Sequence, residues 1–137
     1  LDAISADRLF CGHAHEIRAF YHAGKQAHFV GSVGVPCLYA GMAQFAVIDD
    51  AAGDWDIEHI MLPYDAEQAI AEFATSGLSK TGGQWNKAIV HCLCTGSNAP
   101  DALARRATAI AREEGWEFPP IPEDCYRRAA REIGLDG

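Results

Sequence analysis

The chain of 137 residues lacks a long apolar run. No window approaches the ~18 consecutive apolar residues that a membrane helix needs, so no membrane partner is expected. It also lacks a basic segment followed by an apolar stretch, so no signal peptide is visible. Positive charge is scarce: 11 Lys and Arg stand against 19 Asp and Glu, for a formal net charge of −8. Phosphate backbones repel such a surface. No basic stripe with interleaved aromatics compensates, so nucleic acid is not expected as a structural partner. A smaller phosphate-bearing substrate stays open, because a bound metal inverts the charge locally. A disulfide framework is missing too. The five cysteines, Cys11, Cys37, Cys92, Cys94 and Cys125, are odd in number and irregular in spacing. That pattern suits reduced thiols and a cytoplasmic location. No internal repeat or low-complexity segment is present. What remains is 49% hydrophobic and 22% charged, the balance of a globular chain with its own core.

Pattern divides the chain into a β-rich first half and a helical tail. The run Arg8 to Cys11 ends at Gly12, like a buried strand feeding a loop. Ile17 to His22 and Gln26 to Val30 flank Ala23-Gly24-Lys25, a hairpin signal. Ala43 to Ile48 meets Trp55 to Leu62 across the turn Asp49 to Asp54. Beyond this point the period changes. Asp65 suits the cap of a helix through Ser76, with Ala66, Ala69, Ile70 and Phe73 on one side and Gly77 as its stop. Asn98 or Asp101 opens another helix, ending near Gly115. Pro119, Pro120 and Pro122 form a stiff linker, and a third helix runs from about Glu123 to Ile133. Lys87 to Cys94 fits a buried strand or a helix equally.

His13 and His15 follow the first strand and Gly12. On a loop, this spacing aims two imidazoles at a common small volume. Neutral imidazole ligates Zn, Fe, Ni and Mn. Two imidazoles do not complete a site, since four or more donors are needed. Spacing alone leaves open that both are ordinary polar loop residues.

The run Ala6-Asp7-Arg8-Leu9-Phe10-Cys11-Gly12-His13-Ala14-His15 resembles the last metal motif of the calcineurin-like metallophosphoesterases, Gly-His-x-His after a strand. Gly31-Ser32-Val33-Gly34-Val35-Pro36 looks like that family's glycine-serine loop. Phe45 to Asp49 and Trp55 to His59 look like its closing hairpin. Pro63-Tyr64-Asp65 and Ser76-Gly77-Leu78 match its small bacterial branch. The resemblance covers roughly residues 1 to 80. It implies the C-terminal part of a two-sheet α/β sandwich, with residues 81 to 137 as a helical tail packed on it. It also implies metal-dependent hydrolysis of a phosphomonoester or phosphodiester. His13 would hold one divalent ion and His15 the other, the metals being Mn, Fe, Ni or Zn. The family's Asp-x-His, Gly-Asp-x-x-Asp and Gly-Asn-His motifs do not precede His13, and Phe29-Val30 stands where its Asn is usual. Gly53-Asp54-Trp55-Asp56-Ile57 begins like one of these motifs but ends on Ile57. A fragment that starts at Leu1 in mid-fold, or a decayed copy, is therefore expected. Self-association through uncovered strand faces is expected with it.

Other residues invite bland readings. His91-Cys92-Leu93-Cys94 offers soft donors, yet no second Cys/His pair stands at zinc spacing. His22, His28 and His59 read as surface or edge residues of strands. Glu16 is placed to orient His15 as an acceptor, or is a solvated carboxylate. Ser32 and Gly31 could shape the site wall. Trp55, Trp85 and Trp116 read as core or cover, and Arg105, Arg106 and Arg112 as the wet face of a helix. The alternative function is a non-catalytic α/β domain used for protein interaction, its histidine pair vestigial.

Overall fold

The computed structural model describes residues 1–51, 53–117 and 120–135. The architecture is mixed α/β, with strands β1 (Arg8–Cys11), β2 (Ile17–His22), β3 (Lys25–Val30), β4 (Met42–Asp49) and β5 (Asp56–Pro63) preceding all the helices. Helices α1 (Ala66–Thr75), α2 (Leu78–Thr81), α3 (Gly83–Thr95), α4 (Ala99–Glu113) and α5 (Glu123–Glu132) follow. The chain divides into two compact units, Leu1–Tyr64 and Asp65–Gly137. This division falls ahead of the one drawn at residue 80 from the family resemblance. Helix α1, which the resemblance groups with the strands, belongs to the helical unit.

In the first unit, β1, β3 and β2 form one sheet in that order, and β4 pairs with β5 in another. Strand β3 is central, parallel to β1 and antiparallel to β2. The β2–β3 turn is Ala23-Gly24, with φ of 49° and 79°. Two successive left-handed residues give the turn whose twist matches that of flanking antiparallel strands. The register puts Phe10, His28 and Ala19 side by side across the sheet. In β4–β5, Gln44 lies opposite Met61, and Ala46 opposite His59. The two sheets meet through side chains, His28 of one touching His59 of the other. This overturns the reading of His28 as a surface or edge residue, whereas His59 is half-buried on β5, an edge strand of its two-stranded sheet. His28 is buried on the central strand, and Nε2 of His59 is buried as well. A histidine within an apolar alternation has no sequence mark that separates a wet face from a second sheet. His22 does lie at the surface, where its Nε2 is 3.1 Å from Asp2 Oδ1.

The second unit is held by small side chains. Its core gathers Ala88 from α3, Ala99, Leu103, Ala107, Ile110 and Ala111 from α4, and Cys125, Ala129 and Ala130 from α5. Alanine faces let helix axes approach closely, and Leu103 and Ile110 fill the volume between them. Lys87 to Cys94, which fits either strand or helix by pattern, lies in α3. Asp65 caps α1, its Oδ1 accepting from Gln68 N at 2.9 Å. Gly115 and Gly134 close α4 and α5 in the left-handed conformation. Of the expected proline linker, Pro119 lies outside the described residues, as does Ala52 in the β4–β5 turn. Trp55, Trp85 and Trp116 are each about half exposed. Trp55 serves as a cover over Phe10, whereas the core reading does not hold for Trp85 and Trp116. No helix among the described residues is long and apolar enough to cross a membrane.

Candidate functional site

Residues 12–16 join β1 to β2 and carry the histidine pair. His13 is exposed and His15 half-buried. His15 has φ of 56°, a left-handed conformation uncommon outside glycine, though less so for His. Its carbonyl explains how the conformation is held: it accepts from Cys37 N at 3.0 Å. The histidine loop is thereby tied to the segment 31–41, which contains the glycine-serine stretch.

That segment is itself anchored on β4 by Gln44, which is 1% exposed. Gln44 N donates to Ser32 O at 3.0 Å, and Gln44 Nε2 donates to Cys37 O at 3.2 Å. Gly31 permits the approach. Its φ is 85°, and a Cβ there would lie 2.4 Å from Gln44 Cβ. Ser32 Oγ accepts from Val35 N at 3.0 Å and so shapes the turn. A chain of contacts therefore runs from Gln44 through Cys37 to the backbone of His15. Sequence reasoning passes over Gln44. Its one available signal is a polar residue inside an otherwise apolar strand.

Glu16 does not take up the orienting role among the hydrogen bonds observed. Its Oε2 accepts from Arg18 Nη2 at 2.6 Å. Among the described residues, no group of three or more His, Cys, Asp or Glu side chains is placed to hold a metal ion. His13 and His15 thus share a loop, and no described third donor joins them.

His91, Cys92 and Cys94 do not converge. They lie on α3, where helical spacing turns Cys92 into the buried interior and leaves His91 and Cys94 exposed. His91 and Cys94 border an open cavity of about 610 Å³, with Ile70, Phe73, Lys87 and Val90 among its other lining residues. Cys125 is buried against α4. Burial, and then the nearby Glu114 carboxylate, push its thiol above the ordinary range, which makes it a poor nucleophile. Arg105 pairs with Asp101 at 2.6 Å, and Arg106 bridges to Glu132 and Glu113. These arginines form the wet, ion-paired face read from the sequence.

Comparison with protein-family models, with curated proteins and with solved structures found no match for this chain.

Proposed function

We propose that this chain supplies the His13-Ala14-His15 ligand loop of a metal-dependent phosphoesterase. Its mixed α/β fold would be the C-terminal part of a two-sheet sandwich. The observation that carries the reading is the loop itself. Two imidazoles two residues apart follow a strand and a glycine, on a backbone held through the His15 carbonyl. Imidazole suits Mn, Fe, Ni or Zn. The set is nevertheless short of a complete site, so the remaining donors are assigned to residues outside this chain, and the two histidines alone carry no catalytic step. Two divalent ions, when bound, supply Lewis-acid polarisation of the phosphoryl group and activation of water. The substrate is a phosphomonoester or phosphodiester, and the location is cytoplasmic.

The coding sequence upstream of Leu1 tests this reading. An open frame encoding Asp-x-His, Gly-Asp-x-x-Asp and Gly-Asn-His supports it, and an in-frame stop close upstream overturns it. A second test uses this chain by itself. With only two imidazoles it should hydrolyse a model phosphodiester in manganese no faster than the His13→Ala, His15→Ala double variant. In a longer protein carrying the upstream motifs, the same pair of substitutions should abolish metal-dependent turnover. Unchanged turnover there would remove both histidines from the site.

A second reading, a non-catalytic domain that binds another protein, is favoured by one observation. Val33 and Leu38 are each 65% exposed on the segment beside the histidine loop. The upstream coding sequence separates the two readings.

A further inference from the structure

The junction between the two sheets of the first unit is built around an imidazole pair. His28 lies on the central strand β3 and is 5% exposed. His59 meets it from β5, the ring centroids 5.7 Å apart and the planes at 82°. Phe10 of β1 stacks on His28 at 5.6 Å, and Tyr21 of β2 meets it edge-on at 6.1 Å. The nitrogens are only partly satisfied. His28 Nε2 lies 3.2 Å from Gln26 Oε1, which fits a neutral ring protonated at Nε2. His28 Nδ1 and His59 Nε2 are buried without a hydrogen-bond partner among the described residues.

A second proton on His28 would therefore sit at a buried nitrogen with no acceptor. Among the described residues, no carboxylate is recorded in contact with the ring to compensate it. From β1 the charged neighbour is Arg8, whose guanidinium lies 5.1 Å over the Trp55 ring and 3.4 Å from Asp54. From β5 it is His59, and from β2 the neutral Tyr21. Burial first, then His59, then Arg8, hold His28 below the ordinary imidazole value of 6.5.

We propose that the His28–His59 contact is an acid-sensitive latch between the two sheets, closed while His28 is neutral and released when it takes a proton. The direction follows from linkage. A histidine that is harder to protonate when folded contributes its full stability above 6.5. That contribution falls as pH drops below this value and levels off only beneath the lowered folded-state value. Inside this window each pH unit raises the unfolding constant by up to about tenfold for one proton. The latch does not depend on the metal reading, since it involves neither His13 nor His15.

The test uses the full chain with Trp85→Phe and Trp116→Phe, which leaves Trp55 as the reporter. Trp55 stacks on Phe10 at 6.0 Å and so watches the junction. Its urea midpoint should fall between pH 8 and pH 5, His28→Gln should remove most of that fall, and His22→Gln should leave it intact. A pH-independent midpoint, or the same fall in His28→Gln, overturns the proposal. Should His28→Gln fail to fold, imidazole NMR on the unsubstituted chain decides. His28 must titrate below the ordinary imidazole value of 6.5; titration at or above that value overturns the latch.

Discussion

Gly31 and Gly24 separate two uses of the same residue. Both are left-handed, at φ of 85° and 79°. At Gly24 an added Cβ meets nothing within 4 Å, while at Gly31 it would lie 2.4 Å from Gln44 Cβ. Gly24→Ala should therefore cost only the backbone penalty of about 1 kcal/mol. Gly31→Ala adds overpacking of the kind that costs about 1–3 kcal/mol more. Urea denaturation followed by Trp55 emission would check the order, and equal losses would show that Gln44 moves aside freely. The same comparison bears on the histidine loop, because Gln44 reaches it through Cys37. By sequence, Gly31 stands out only for its place in a glycine-serine stretch. Its requirement for glycine comes from Gln44, a neighbour on another strand that no local motif displays.

Helices α1, α4 and α5 begin and end close to their sequence signals, while α2 and α3 start after glycines with no side-chain cap. Asp65 is readable as a cap, and its side chain accepts from Gln68 N. Asp65→Ala should cost about 1 kcal/mol, read as a lower thermal midpoint in far-ultraviolet circular dichroism. Packing is another matter. Helix α4 puts Leu103 and Ile110 at 0% exposure against an alanine-rich α5. Leu103→Ala should cost about 2–5 kcal/mol through the cavity left behind, measured as a loss of urea midpoint. A cost below about 1 kcal/mol would mean that the alanine faces collapse into the space. In α3 the run Lys87 to Cys94 is ambiguous by pattern because a short apolar stretch fits either period. Burial of Ala88, Cys92 and Leu93 on one side resolves it as a helix.

Across the whole molecule, apolar surface remains uncovered. Val47 is 46% and Leu62 52% exposed, and both lie on the β4–β5 pair. Val33 and Leu38, on the segment before β4, are each 65% exposed as well, and exposed apolar side chains of this size are what interaction sites are built from. The chain should self-associate, or bind a hydrophobic dye, at micromolar concentration. Light scattering checks this, and a monodisperse monomer without dye binding would show these side chains to be tolerated singly. The acidic balance of −8 should limit precipitation without preventing association.

Periodicity and turn chemistry by themselves determined the order of strands before helices, a hairpin turning within Ala23-Gly24-Lys25, the Asp65 cap and the loop carrying His13 and His15. Each rests on local rules, in which a residue's own backbone preference or the period of its neighbours decides the outcome. Only the tertiary structure decided that His28 and His59 face one another, that Gln44 anchors the segment behind His15, and that His91, Cys92 and Cys94 turn apart on a helix. Those outcomes depend on which sheet or helix face lies against which. A linear pattern shows that a face is apolar but not what covers it.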